Sequence, residues 1–146
     1  MEPSGRSRKE LRSLFEKFAL QASAFSREVY PTPASPYGSK ESVDLNLRIT
    51  KAIFGKWAPE IVVALYTTKK MGFEELRKTL RPISRRVLSL KLKKLEAMGF
   101  VRREVLSARP PRVEYSLTDD GLLTARLAEP FFLFLRSGSE KRESSG

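Results

Sequence analysis

The spacing of hydrophobic residues follows the α-helical period along most of the chain and the strand period of two in one stretch. Val113, Tyr115 and Leu117 alternate with polar residues, which predicts a half-buried strand. Residues 100–105 predict a partner strand, so the two would form a hairpin. Helical spacing predicts six helices, at residues 8–29, 43–54, 59–68, 73–80, 84–98 and 119–136. The pattern therefore predicts a mainly α fold with a small β-hairpin, in the α+β class.

Proline, glycine and short polar residues mark where these elements begin and end. Pro59 suits the first turn of a helix, and Ser84 and Thr118 are predicted N-caps. Gly99 is predicted to end the helix that Ser84 begins. The KKMG stretch at residues 69–72 predicts a short chain reversal.

The order of the elements divides the chain into four parts. Residues 1–42 contain the first helix and a Pro/Ser-rich connection. Residues 43–118 contain four of the predicted helices and the hairpin, and the order of three successive helices, strand, turn and strand is that of a winged helix-turn-helix. Residues 119–136 form an additional C-terminal helix, in which Pro130 is expected to cause a kink or a break. Residues 137–146 are predicted to be a disordered tail.

The positive charge of the chain is concentrated in one segment. The formal net charge is +11, and residues 77–112 contain twelve Lys or Arg against two acidic residues. This segment carries +10 and the remainder of the chain only +1. A charge that served general solubility would be spread out, so this concentration predicts a surface for a polyanion.

The composition excludes several kinds of site. The chain has no cysteine and no histidine, which removes disulfides, thiol nucleophiles, the usual zinc sites and imidazole acid–base chemistry. We therefore expect no metal, no cofactor and no enzymatic activity. Charges interrupt every apolar run and the N-terminus lacks the apolar segment of a secretion signal, so we expect no membrane association and a cytoplasmic protein. The scarcity of Asn and Gln is typical of thermophiles.

The helix at residues 84–98 is the candidate recognition helix, since the second helix of a helix-turn-helix enters the major groove. Leu88, Leu92 and Leu95 form its predicted buried stripe. Arg85 and Arg86 near its start could contact DNA or be ordinary solvated surface. Leu90 is either an exposed residue without a role or a contact in the groove. The candidate DNA contacts of this helix are Ser84, Arg85, Arg86, Ser89, Leu90, Lys93 and Lys94.

The hairpin supplies a second set of candidate contacts. Two prolines stiffen its tip, because each fixes one φ angle and donates no hydrogen bond. The candidate wing contacts are Arg102, Arg103, Arg109 and Arg112. Arg112 could instead pair with Glu114 or with a carboxylate of the last helix. Lys56 could contact phosphate or simply cover apolar surface with its methylene stem.

Several motifs at fixed spacings resemble the HxlR-type family of winged-helix transcriptional regulators, over roughly residues 49–135. They are Gly55-Lys56-Trp57, Phe73 with Leu76, Ile83-Ser84, the Leu88/Leu92/Leu95 ladder ending at Gly99, Pro111-Arg112-Val113-Glu114-Tyr115 and Leu117-Thr118. The resemblance implies a homodimer that binds double-stranded DNA at a pseudo-palindromic operator and is joined through its terminal helices. The effector stays unknown. Many relatives sense oxidants through a cysteine, which this chain lacks.

The terminal helices carry more apolar side chains than one face of a helix can bury. Residues 131–135 are apolar all round, so we expect a partner subunit to cover them, although they could also close the domain's own core. The candidate interface residues are Leu11, Leu14, Phe15, Phe18, Phe25, Leu127, Phe131, Phe132 and Phe134.

Sequence-specific binding of duplex DNA by a dimeric transcription regulator is the function that these observations favour. RNA binding is the first alternative, but residues 77–112 contain a single aromatic residue, Phe100, whereas RNA readers usually expose several. A winged helix used as a protein–protein interaction module is the second alternative, and it would not need the concentrated charge.

Overall fold

The computed structural model describes residues 5–29 and 40–143. Residues 30–39 of the predicted connection, which was expected to run to residue 42, and the last three residues of the predicted tail lie outside this part, while residues 40–42 already belong to a helix. The helices are α1 (Arg8–Val29), α2 (Lys40–Phe54), α3 (Ala58–Thr68), α4 (Phe73–Thr79), α5 (Arg85–Ala97) and α6 (Asp119–Glu143). The strands are β1 (Lys70–Gly72), β2 (Val101–Ala108) and β3 (Pro111–Leu117).

The sheet has one strand more than the sequence predicted. Its order is β1-β3-β2 with antiparallel pairs throughout, and Met71 of β1 lies opposite Tyr115 of β3. The predicted chain reversal at residues 69–72 was therefore wrong. A strand of three residues is too short to show a period of its own, and it forms here because the free edge of β3 supplies hydrogen-bonding partners.

The hydrophobic core lies between α3, α4, α5 and the inner face of the sheet. Leu88, Leu92 and Leu95 are almost fully buried, which confirms the predicted apolar stripe of α5. Trp57 is half-buried and packs against this core. The remaining core residues are Ala58, Ile61, Leu65, Met71, Leu76, Leu80, Ile83, Val101, Tyr115 and Leu117.

The predicted helix caps form as hydrogen bonds. The Ser84 hydroxyl accepts a bond from the Val87 backbone N–H at 3.2 Å, and the Thr118 hydroxyl accepts one from the Gly121 N–H at 3.0 Å. Gly99 follows α5 with a φ of 79°, in the left-handed region that favours glycine. Ser84 and Gly99 thus mark the beginning and the end of α5, and Thr118 caps α6.

The last helix is longer than predicted. It continues through Pro130 to Glu143, so the proline does not split it, and residues 137–143 are helical rather than part of a tail. A proline inside a helix removes one backbone hydrogen bond and its ring clashes with the carbonyl of the preceding turn, yet the apolar turns that follow, at residues 131–135, continue the helix.

The chain forms two compact units. One, the winged unit, contains Asn46–Glu129 and holds α3, α4, α5 and the sheet. The other contains Met1–Leu45 with Pro130–Gly146, and so holds α1 and the C-terminal part of α6. Within this second unit the rings of Phe15 and Phe134 meet edge to face, with centroids 5.4 Å apart. None of the helices in the described residues has the length and hydropathy needed to cross a membrane.

Substitution of Gly121 by alanine should destabilise the winged unit. A Cβ atom there would overlap the carbonyl oxygen of Phe100 and press on the Leu117 side chain, so α6 would have to move away from the sheet. We expect a loss of about 1–3 kcal/mol, as is typical of overpacking, measured by thermal denaturation. Gly138→Ala is the control, because nothing lies near its Cβ position, and alanine there should slightly raise the melting temperature. Equal melting temperatures for Gly121→Ala and the wild type would contradict this packing.

Candidate nucleic-acid interface

The outward face of α5 presents a basic surface around one apolar side chain. Arg86, Lys93 and Lys94 are exposed, and none of them pairs with a carboxylate within the described residues. Leu90 lies among them with 57% of its surface exposed. On a helix, residues three and four apart are neighbours, so Arg86, Lys93 and Lys94 surround Leu90 on this face.

The other candidates on α5 are placed differently. Ser84 is exposed but serves as the N-cap, and Ser89 is half-buried. Lys91, which also contributes to the charged segment, is half-buried, with its Nζ 3.9 Å from the position that a Cβ of Gly55 would take. Lys91 therefore lies against the junction of α2 and α3 and not on the outward face.

Arg85 has an ion-pair partner that the sequence did not indicate. Its Nη2 lies 3.2 Å from Oε1 of Glu74, while the Arg77 Nε donates to Oε2 of the same carboxylate at 2.9 Å. The hydrogen bond from Arg77 and the charges of Arg77, Arg85 and Lys78 hold the pKa of Glu74 below its usual value. Glu74 thus pairs with one arginine of α4 and one of α5. From the sequence alone, only the three-residue spacing between Glu74 and Arg77 indicated an ion pair.

The neighbouring acid, Glu75, also has a structural role. Its Oε2 accepts a hydrogen bond from the Gly72 backbone N–H at 3.0 Å, which satisfies a free donor at the start of α4. Glu75 makes no ion pair within the described residues. The two adjacent acids therefore differ, since one links two helices and the other caps one.

The hairpin places Arg102 and Arg103 on opposite faces of the sheet. Arg103 lies opposite the buried Tyr115, and Arg102 lies opposite Ser116. Because neighbouring residues of a strand point to opposite faces, the two arginines do not form one joint surface. Both are exposed.

Acidic residues share the outer face of the sheet with Arg102. Glu104 and Glu114 lie directly opposite each other, and the Lys70 Nζ lies 3.1 Å from an oxygen of Glu114. The hydrogen bond and the charge of Glu114 raise the pKa of Lys70, so this lysine stays protonated. The base of the hairpin is therefore nearly balanced in charge.

The tip of the hairpin, by contrast, carries uncompensated positive charge. The strands extend further than predicted, so that only Arg109 and Pro110 separate Ala108 from its pairing partner Pro111. The Ser107 hydroxyl donates to the Pro110 carbonyl at 3.0 Å and closes the turn. Arg109 and Arg112 are exposed and make no ion pair within the described residues, since Glu114 pairs with Lys70 instead.

Lys56 is exposed, and its Nζ lies 5.5 Å from the centre of the Trp57 ring. This position fits the covering of apolar surface by the lysine stem. The ammonium group is still accessible to an anion, so both roles considered for Lys56 agree with the structure.

Most of the candidate interface residues are exposed apolar side chains within a single chain. Leu11 and Phe15 are half-buried, and the others are more exposed, with Leu127 exposed most of all. Leu127 belongs to the winged unit, whereas the residues of α1 and residues 131–134 belong to the other unit. The exposed members are Leu14, Phe18, Phe25, Leu127, Phe131, Phe132 and Phe134.

Comparison with known sequences identifies related proteins. A family model described as HxlR-like helix-turn-helix matches residues 52–129. The HTH-type transcriptional regulator YdeP of Bacillus subtilis is 42% identical over 89 residues, which cover 61% of this chain and 66% of YdeP. YybR of the same organism, also named an HTH-type transcriptional regulator, is 38% identical over 104 residues, covering 71% of this chain and 78% of YybR. The match thus leaves about a third of YdeP uncovered.

Solved structures show the same fold. A protein described as a transcriptional regulator of the MarR family, from Enterococcus faecalis V583, matches with a TM-score of 0.61 and 27% identity, covering 77% of this chain and 99% of that chain. The redox regulator HypR in its reduced form matches with a TM-score of 0.53 and 37% identity, covering 65% of this chain and 89% of that chain. The predicted winged helix-turn-helix is therefore confirmed.

Proposed function

Because the chain belongs to the HxlR-like helix-turn-helix family, we propose that it binds duplex DNA sequence-specifically and regulates transcription as a homodimer. The supporting observation is the set of exposed cations on the outward face of α5 and at the hairpin tip that pair with no carboxylate in residues 5–29 and 40–143. Phosphate contacts from these groups supply affinity, and the side chains near the N-terminus of α5 supply specificity.

The recognition helix reads base edges with two kinds of side chain. Arginine grips guanine with two parallel hydrogen bonds, and an apolar side chain can meet the methyl group of thymine. Arg86 and Leu90 lie four residues apart on the outward face. We therefore expect an operator in which a guanine contacted by Arg86 lies close to a thymine contacted by Leu90.

The hairpin acts as the wing. Arg109 and Arg112 contact phosphates or enter the adjacent minor groove, which attracts arginine where it is narrow. The turn between them is closed by the Ser107 hydrogen bond and stiffened by prolines. A loop that is already ordered gives up little entropy on binding. Because Arg102 shares its face with two carboxylates, it contributes less than the tip does.

Two subunits place two recognition helices in successive major grooves. This arrangement requires a separation of about 34 Å and a pseudo-palindromic operator. The exposed apolar residues of α1 and α6 form the interface. So many exposed large apolar side chains on two helices are unusual on a monomer.

The other functions considered have weaker support. An RNA reader would expose aromatic side chains on its binding face, whereas the outward face of α5 carries none. A protein-interaction module gives no reason for the unpaired cations. We propose no enzymatic activity, and we place the regulator in the cytoplasm, where the DNA is. Since the chain has no cysteine, its signal is not the oxidation of its own thiol.

Arg86→Ala tests the proposed sequence readout. Binding is measured to a duplex enriched by the wild-type chain from a random pool and to a scrambled duplex of equal length. A bidentate arginine–guanine contact is worth about 1–3 kcal/mol of discrimination, so the affinity ratio should fall by roughly 5- to 150-fold. Lys93→Ala is the control, because a phosphate contact should weaken binding to both duplexes alike. If Arg86→Ala also weakens both alike, Arg86 does not read bases.

A further inference from the structure

One carboxylate connects the two helices of the helix-turn-helix through their arginines. Glu74 lies in the first turn of α4, and each of its oxygens has one partner, Arg77 at 2.9 Å and Arg85 at 3.2 Å. The Arg77 side chain is largely buried, with 28% exposed, whereas that of Arg85 is 71% exposed. Arg77 therefore anchors the carboxylate, and the carboxylate holds one corner of an otherwise accessible guanidinium.

On the basis of the proposed function, we propose that Glu74 is a positioning residue that makes Arg85 read a base edge rather than grip the DNA backbone. It fixes the direction of the guanidinium at the start of α5 before DNA arrives. It also places a negative charge beside the guanidinium, next to any phosphate that Arg85 would contact while remaining paired.

The donor geometry of arginine permits this role. A guanidinium has five N–H donors in a rigid fork, and the contact with Glu74 occupies one of them. The four remaining donors exceed the two that a guanine edge accepts. Arg85 can therefore keep its bond to Glu74 while it binds a guanine, and the side chain loses little further freedom.

Arg85 has two possible targets on DNA, a guanine edge and a backbone phosphate, and the charge of Glu74 favours the first. A guanine edge has no formal charge, so the nearby carboxylate repels it much less than it repels a phosphate. A phosphate is an anion, so a complex in which Arg85 grips the backbone brings two negative charges together or breaks the ion pair. The contacts of Arg77 and Arg85 keep the pKa of Glu74 below its usual value, so the carboxylate stays ionised and this selection operates across the neutral pH range.

Glu74→Gln tests the proposal, because glutamine keeps the shape of the side chain and removes its charge. Affinities are measured for a duplex enriched from a random pool by the wild-type chain and for a scrambled duplex. We expect binding to the scrambled duplex to strengthen by roughly three- to tenfold, and its salt dependence to steepen by about one unit per subunit. Binding to the enriched duplex should change less, so the affinity ratio should fall, by about tenfold at most.

Glu75→Gln is the matched control, since it removes the same charge one residue away, where no contact with Arg85 exists. In an Arg85→Ala background, Glu74→Gln should leave the affinity ratio unchanged. The proposal is overturned if Glu74→Gln and Glu75→Gln change the ratio equally, if neither changes it, or if the effect of Glu74→Gln persists without Arg85. If the wild-type chain enriches no sequence at all, the proposed function itself fails. If enrichment succeeds and Glu74→Gln has no effect, only this inference fails.

Discussion

The affinity of the protein for duplex DNA should fall by about 10³–10⁵-fold between roughly 50 and 200 mM salt, if a dimer neutralises about 6–10 phosphates. Each neutralised phosphate releases condensed counterions, so the logarithm of the binding constant falls linearly with the logarithm of the salt concentration. The unpaired cations on α5 and at the hairpin tip can supply this number of contacts from two subunits. Fluorescence anisotropy titrations at four or more salt concentrations give the slope.

Single arginine substitutions show which surface of the protein produces the salt dependence of binding. Arg109→Ala should lower it by about one unit per subunit, because this arginine at the wing tip has no other partner in the described residues. Arg12→Ala is the matched control. Arg12 is also an exposed arginine, but it lies on α1 and pairs with Glu16 at 2.9 Å. A salt response that is flat for the wild type would count against nucleic-acid binding altogether, and equal slopes for both variants would remove the wing from the interface.

Phe131→Glu should convert the dimer into a monomer and weaken binding to a two-half-site operator by roughly 10²–10⁴-fold. A carboxylate buried at the centre of an apolar interface has no partner and is strongly unfavourable. The affinity falls because a monomer binds one half-site, and the second contact is no longer made at high effective concentration. Phe131 is 53% exposed in the single chain, so the charge should not prevent the subunit from folding. Sedimentation equilibrium at micromolar concentration gives the oligomeric state.

Val63→Glu is the control for this experiment. Val63 is a similarly exposed apolar residue, but it lies on α3, outside the proposed interface. This variant should remain a dimer. A wild-type chain that sediments as a monomer would contradict the proposed assembly. A dimeric Phe131→Glu variant would show that the interface lies elsewhere.

Several features were predictable because they are local properties of the sequence. The buried stripe of α5 follows from the spacing of Leu88, Leu92 and Leu95, and its caps follow from the positions of Ser84 and Gly99. The strand alternation that buries Tyr115 was also visible. The same alternation also predicts that Arg102 and Arg103 lie on opposite faces, so these two candidate wing contacts do not form one surface.

Other features depended on contacts between distant parts of the chain. The pattern of β1 is too short to be recognised, and the strand exists because Met71 reaches the edge of β3. The length of α6 was underestimated because a proline and a polar segment both suggest an end, whereas the helix passes through them. In each case a neighbouring element or turn outweighed a weak local preference.

The sequence by itself determined the winged helix-turn-helix, the family, and the location of the positive charge, because periodicity, capping and charge are all properties of consecutive residues. Only the tertiary structure decided which of those charges are available. Glu74 and Arg85 are eleven residues apart, and the turn between α4 and α5 brings their side chains within 3.2 Å of each other. Likewise the pairing of β1 with β3 directs Lys70 to Glu114 and leaves Arg112 unpaired among the described residues. Ion pairs between separate elements depend on distance and direction in space, which the order of residues does not specify.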